Sequence, residues 1–221
     1  MPEAKKARVV VLISGSGSNL QALIDGVADN SLPIDLVAVI SNRPEVMGLE
    51  RATKAKIPAE VLDHKTFADR ESFDQALMAK IDGYQPDLVV LAGFMRILTP
   101  EFTQHYLGRM LNIHPSLLPK YQGLHTHQRA LDAGEKRHGV TVHFVTAELD
   151  GGPAIVQASV PVLDSDDANS LAKRVQRQEH VIYPLAVKWF AQGELRMIEG
   201  KSVLKDEPLP PSGFQIESDE T

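Results

Sequence analysis

The sequence contains no cysteine. That absence excludes a disulfide-stapled scaffold, a thiolate zinc site, an iron–sulfur cluster and a cysteine nucleophile. It also lacks a surplus of positive charge: 23 Lys and Arg stand against 29 Asp and Glu, for a formal net charge of −6. A broad basic surface for nucleic acid is therefore not expected. No stretch approaches the ~18 apolar residues of a membrane-spanning helix. The apolar run at residues 9–13 is too short for a signal h-region, and no small-residue cleavage site follows it. The expectation is a cytoplasmic protein without nucleic-acid or membrane partners. Repeats and low-complexity tracts are also missing.

The chain has 221 residues, within the ~200–250 that single α/β domains often reach. Residues 9–13, Val-Val-Val-Leu-Ile, are a continuous apolar run, the pattern of a strand buried on both faces. A loop at 14–19, Ser-Gly-Ser-Gly-Ser-Asn, follows, and then Leu20, Leu23, Ile24 and Val27 recur at helical spacing. Similar patterning predicts strands over 34–40, 59–62, 88–92 and 111–113, with helices over 45–55, 67–81 and 100–106 between them. Such alternation means βαβ units and a mainly parallel sheet. Beyond residue 115 the texture is less regular. A loop over 116–126, a short helix over 128–133, strands over 140–145 and 154–162, and a long amphipathic helix over 167–191 perturbed at Pro184 are expected. The fold class is α/β: a Rossmann-like, mainly parallel twisted sheet flanked by helices, with a mixed or antiparallel C-terminal part. One domain over 1–221 is expected, with a core of about 8–210, a flexible leader over 1–7 and a flexible, acidic tail over 207–221.

Three loops carry chemistry. The first is Gly15-Ser16-Gly17-Ser18-Asn19, between a strand and a helix. Glycines let backbone N–H groups approach an anion, and the helix dipole favours phosphate; Ser18 or Asn19 could instead be a plain helix cap. A dinucleotide fits less well than a monophosphate. Leu20 stands where a third glycine would be, the second strand ends in Ser41-Asn42 without an acidic residue, and no Gly-Lys-Ser/Thr follows.

The second loop opens at Asn112-Ile113-His114-Pro115, at a strand's carboxyl end. Strand alternation puts Asn112 and His114 on one side. An amide donor beside an imidazole suits a carbonyl that becomes an oxyanion, although a hydrogen-bonded loop histidine would look the same. The third loop is Glu148-Leu149-Asp150-Gly151-Gly152-Pro153. It is adequate as a turn, and it also makes Asp150 a candidate to pair with His114 or to orient a water. His105, His114, His125, His127, His138 and His143 leave a metal site as a minor alternative, without an HExxH pattern to support it. No serine sits in a Gly-x-Ser-x-Gly elbow. Met95, Arg96, Ile97 and Leu98 follow a strand and read as core or as an apolar ligand wall. Arg70, at a helix start, is a solvated charge or a partner for an anion. Glu179 and His180 read as an exposed helix pair.

Together these loops resemble the folate-dependent formyltransferases. The resemblance runs from about Arg8 to Pro210. It rests on residues 13–21, 91–98, 112–119, 123–127 (Gly-Leu-His-Thr-His), 148–153 and 176–180 (Gln-Arg-Gln-Glu-His). The Asn-x-His and the later Asp are shared across the family, whereas the Gly-Ser-Asn and Gly-Leu-His-Thr-His segments point to glycinamide ribonucleotide (GAR) as acceptor. Gln122 departs from the proline expected in close relatives.

The resemblance implies the formyltransferase fold, 10-formyltetrahydrofolate as donor, GAR as acceptor in purine synthesis, no metal, and a monomer or homodimer. Gly17, Ser18 and Asn19 would hold the ribonucleotide phosphate, and Gln176, Arg177, Gln178 and Glu179 would contact GAR. Arg70, Met95, Arg96, Ile97, Leu98, Thr146, Ala147, Glu148, Leu149 and Asp150, with Asn112, would line the folate site. Asn112 would face the formyl oxygen, His114 would donate the proton and Asp150 would favour the protonated form of His114.

Two family alternatives are a formyltetrahydrofolate hydrolase and an aminoacyl-tRNA or sugar-nucleotide formyltransferase. The hydrolases carry a domain ahead of a first strand that here begins near residue 8. The others carry a further C-terminal domain. A non-catalytic phosphate- or folate-binding module is the reading from another class.

Overall fold

A computed structural model describes residues 4–221. The chain forms two compact units, one ending at Leu111 and the other spanning Asn112–Thr221.

The first unit alternates strands and helices: β1 (Ala7–Ile13), α1 (Ser18–Ala28), β2 (Ile34–Ser41), α2 (Met47–Lys54), β3 (Ala59–Val61), a single 3-10 turn (His64–Thr66), α3 (Arg70–Asp82), β4 (Leu88–Leu91) and α4 (Pro100–His105). All its strand pairs are parallel. β1 lies between β2 and β4, and β3 pairs with the outer side of β2. A strand with partners on both edges and no wet face must be apolar throughout, and Val9 through Ile13 are fully buried. The register places Ile13 beside Ser41 and Leu12 beside Leu91. The loops that leave β1, β2 and β4 therefore start at one level, at the carboxyl ends where open α/β sheets take ligands.

β5 (Met110–His114) carries the chain into the second unit. There follow α5 (Thr126–Asp132), β6 (Arg137–Phe144), β7 (Ala154–Pro161), α6 (Ala168–Ala191), β8 (Leu195–Ile198), β9 (Lys201–Leu204), β10 (Glu207–Pro208) and β11 (Phe214–Glu217). β6 and β7 pair antiparallel, and β11 runs parallel to β7. β8, β9 and β10 form a separate antiparallel sheet. α6 packs on β6 and β7 through buried Leu171, Val175, Ile182 and Tyr183. A buried pair fixes its entry: Arg174 Nη1 lies 2.6 Å from Asp166 Oδ2 and also donates to the Pro161 carbonyl at 3.0 Å. The guanidinium holds the Asp166 carboxyl well below the usual carboxylate range.

The expected fold class is thus observed: parallel α/β units first, mixed and antiparallel strands later. Several boundaries need correction. The helix expected from residue 45 starts at Met47, because Glu45 has φ 58° and Val46 is extended. The helix expected from 67 starts at Arg70, where the Asp69 carboxylate accepts from Ser72 N–H at 2.8 Å and caps it. α6 runs unbroken through Pro184. Part of the leader, residues 1–3, lies outside the described residues, and Ala7 already belongs to β1.

The tail from Glu207 was expected to be loose; instead it carries β10 and β11. Beyond β11, the Ser218 carbonyl accepts from Arg137 Nη2 at 2.7 Å and Glu220 lies 3.3 Å from Arg177 Nε. Backbone pairing to β7 supplies what the tail's composition does not suggest.

Candidate active site

In the first unit, the turn after β1 leads straight into α1. Gly17 caps the helix in the left-handed region at φ 72°, and its carbonyl accepts from Gln21 N–H at 2.9 Å. A residue with a side chain is disfavoured there. The N-cap position of α1 is thus Gly17 rather than Ser18 or Asn19. Ser18 and Asn19 are the first two residues of the helix, the end whose N–H groups have no partner within the helix and whose dipole is positive.

The loops from β1, β2 and β4 are tied together. The Ser14 hydroxyl donates to Asn42 Oδ1 at 2.6 Å and accepts from Met95 N–H at 2.8 Å. After β4, Met95 and Ile97 are exposed, 64% and 53% respectively. Large apolar side chains left in water at strand ends fit a flat apolar ligand better than core packing. Arg96 lies with its guanidinium 4.9 Å from the Phe73 ring centroid, and its Nε is buried without a partner. Asp74 feels the positive charges of both Arg96 and Arg70, while burial dominates and pushes its carboxyl up.

In the second unit, β5 delivers Asn112, half-buried, and His114, buried, on the same side. His114 Nε2 donates to the Tyr121 carbonyl at 2.8 Å. A carbonyl only accepts, so Nε2 carries a hydrogen, and the Nδ1 side is left toward Asp150. Nδ1 lies 3.6 Å from Asp150 Oδ1, with both side chains less than a tenth exposed. That separation is electrostatic rather than a hydrogen bond. Asp150 has φ 53°, rare for a residue with a side chain. Its other oxygen, Oδ2, accepts from Gly123 N–H at 2.9 Å, which fixes the carboxylate plane. Asp150 sits in the turn after β6, closed by Gly151 N–H donating to the Glu148 carbonyl at 3.1 Å. In that turn Ala147, Glu148 and Leu149 are exposed and Thr146 is half-buried.

The loop that supplies Tyr121 and Gly123 is held from beneath. The Thr141 hydroxyl on β6 donates to the Ser116 carbonyl at 2.7 Å and accepts from Leu118 N–H at 3.1 Å and from Gln157 Nε2 at 3.1 Å. Gln157 Nε2 also donates to the Leu118 carbonyl at 2.8 Å. The Thr126 hydroxyl donates to the Pro115 carbonyl at 2.6 Å. Gln122 lies in this loop, and its carbonyl accepts from Arg129 Nη1 at 2.7 Å.

The other histidines divide. His127 Nδ1 and His138 Nε2 share a hydrogen bond of 3.1 Å, and burial pushes both pKa values down, that of His138 to about 4. His143 is buried and its pKa is also pushed down by burial. Among the described residues no group of three or more His, Asp or Glu is arranged to hold a metal. Gln176, Arg177, Gln178 and Glu179 lie on consecutive positions of α6; Gln178 is buried, Glu179 is half-buried, and Gln176 and Arg177 are exposed.

Ser14 and Gly123 lie within segments that carry the resemblance but are given no role of their own from the sequence, and Tyr121 and Thr141 are not singled out at all. Tyr121 and Gly123 act on the pair through backbone atoms, so their residue types do not show what they hold, although the φ of 83° at Gly123 favours glycine. Ser14 and Thr141 act as hydroxyl junctions between loops.

Residues 7–187 match the model of a family described as formyl transferase. The chain belongs to the formyl transferase family. This formyl transferase is 55% identical over 206 residues to the phosphoribosylglycinamide formyltransferase of Escherichia coli (strain K12), covering 93% of this chain and 97% of that one. It is 46% identical over 210 residues to the protein of the same name from Haemophilus influenzae, covering 95% and 99%. A solved structure of phosphoribosylglycinamide formyltransferase from Coxiella burnetii superposes with a TM-score of 0.92 at 50% identity, covering 96% of this chain and 100% of that one. No helix among the described residues is long and apolar enough to cross a membrane.

Proposed function

We propose that this formyl transferase moves the formyl group of 10-formyltetrahydrofolate to the primary amine of GAR, giving formyl-GAR and tetrahydrofolate in de novo purine biosynthesis. One observation carries the reading: 55% identity across nearly the whole length of a phosphoribosylglycinamide formyltransferase. The chain works as one formyltransferase domain, as a monomer or homodimer in the cytoplasm.

The residue roles follow from chemistry. The neutral amine of GAR attacks the formyl carbon, and the formyl oxygen takes up the developing negative charge. Asn112, through its amide N–H, and protonated His114 stabilise that oxyanion. His114 Nε2 is committed to the Tyr121 carbonyl at 2.8 Å, so the proton in play is on Nδ1. Asp150 Oδ1 faces that nitrogen at 3.6 Å, beyond hydrogen-bond distance. Collapse of the intermediate breaks the bond between the formyl carbon and the folate nitrogen. That nitrogen gains a proton and the attacking amine loses one, so the two transfers balance, with His114 as relay. No covalent enzyme intermediate is required. Holding the two substrates together supplies much of the rate.

Gly17, Ser18 and Asn19 hold the GAR phosphate, and residues 176–179 contact the rest of GAR. Exposed Met95 and Ile97, with Arg96, Leu98, Arg70 and the turn 146–150, receive the folate. The apolar side chains suit a flat heterocycle, and two guanidinium groups suit carboxylates. The test is transfer of a labelled formyl carbon. Label from 10-formyltetrahydrofolate recovered in GAR supports the reading, and label recovered only in formate refutes it.

A further inference from the structure

An anion-binding turn is held best when a neighbouring element supports it on the side away from the anion. In the first unit that support comes from α2. Gly48 N–H donates to the Gly15 carbonyl at 3.0 Å. Arg51 Nε donates to the Ser16 carbonyl at 2.7 Å, and its Nη1 donates to Gln21 Oε1 on α1 at 3.2 Å. Two successive loop carbonyls are thus drawn to α2. In a planar trans peptide the N–H points opposite to the C=O. Drawing the Gly15 and Ser16 carbonyls toward α2 therefore turns the Ser16 and Gly17 N–H groups away from it.

The approach is too close for side chains. A Cβ on Gly17 would stand 2.8 Å from Gly48 Cα. A Cβ on Gly48 would stand 2.3 Å from Ile13 Cδ1, 3.1 Å from the Gly15 carbonyl oxygen and 3.4 Å from Gly17 Cα. Gly48 is the second residue of α2, and the space at its Cα admits no side chain. By contrast, a Cβ on Gly15 would meet nothing, so the turn is tight only on its α2 side.

We propose that Gly48 and Arg51 are positioning residues for phosphate binding: they hold the turn from behind so that its N–H groups face the GAR phosphate. The proposal rests on the reading of Gly17, Ser18 and Asn19 as the phosphate site. It makes GAR affinity depend on two residues that touch no reacting atom.

The test compares wild type with Gly48→Ala, Arg51→Lys and Ser18→Asp. GAR binding is measured by calorimetry with inorganic phosphate as competitor, together with kcat and both KM values and a thermal midpoint. Arg51→Lys keeps the charge and loses the fork that reaches both Ser16 and Gln21. It is expected to weaken GAR and phosphate binding roughly 10- to 150-fold, the range for one lost charge-assisted hydrogen bond. Gly48→Ala is expected to weaken both by at least as much. In each variant kcat and the folate KM stay within about twofold, since only uniform binding of GAR is removed. Wild-type GAR affinity in Gly48→Ala and Arg51→Lys, with Ser18→Asp weakened, overturns the proposal. Wild-type affinity in Ser18→Asp overturns the phosphate reading beneath it. Should Gly48→Ala fail to fold, Arg51→Lys, changed at a partly exposed side chain, decides alone.

Discussion

His114 and Asp150 approach each other at 3.6 Å while each is bound on its far side by backbone of one loop. The Tyr121 carbonyl takes the hydrogen on His114 Nε2, and the Gly123 N–H holds Asp150 Oδ2. One segment thus aims both members of the pair. If that pair manages the proton, Asp150→Asn removes the charge while keeping an oxygen that can accept from Gly123. The expected result is a fall in kcat of roughly 10²–10³, with KM for GAR little changed. Steady-state kinetics on a variant with an unaltered thermal midpoint checks this.

Thr141 is the junction beneath that segment, making three hydrogen bonds to Ser116, Leu118 and Gln157. Thr141→Val keeps the shape and leaves the Ser116 carbonyl and the Leu118 N–H without this partner. The expected cost is about 2 kcal/mol of stability, the scale of buried unsatisfied groups. Turnover falls as well, because the loop aims His114 and Asp150. Thr141→Ser restores both. Chemical denaturation and kinetics on the two variants check the pairing.

The His127–His138 pair sets an acid limit on stability. One ring must donate and the other accept across 3.1 Å, so the pair is broken when both are protonated. The folded His138 pKa, about 4, lies below its ordinary 6.5 because of burial. Between those values the unfolded chain binds a proton that the folded chain does not. Stability from this group is therefore complete above pH 6.5 and lost as pH falls toward 4. The loss amounts to at most about 3 kcal/mol. Urea midpoints from pH 7.5 to 4.5 should fall steeply in wild type and less in His138→Gln.

Asn112 gives a complementary prediction. Asn112→Ala removes one oxyanion donor, with an expected loss of about 10²–10³ in kcat and little change in GAR affinity. Calorimetry with GAR separates this from a binding defect.

Much of this was legible in the sequence, and what was not has physical reasons. The run at residues 9–13 marked a strand buried on both faces, and the apolar runs at 34–40 and 88–92 marked its two neighbours. Strand alternation alone puts Asn112 and His114 on one side of β5. The sheet of β8, β9 and β10 was missed because its strands are four residues or fewer and mix charge with apolar positions, as in Leu195-Arg196-Met197-Ile198. The ordering of Phe214–Glu217 depends on an edge of β7 that composition cannot reveal. Tyr121 and Gly123 reach His114 and Asp150 through backbone atoms, and their positive φ values, 56° and 83°, explain a glycine at 123 without revealing what its N–H holds. Gly48 did leave a signal, a glycine within a helix, but its meaning required the turn it packs against.

The most direct test of the account is turnover of 10-formyltetrahydrofolate by wild type and by His114→Ala, each with and without GAR. The account predicts turnover in wild type only when GAR is present, and a loss of roughly 10²–10⁴ in His114→Ala with GAR binding near normal. Equal wild-type turnover with and without GAR, or undiminished turnover in His114→Ala, would contradict it.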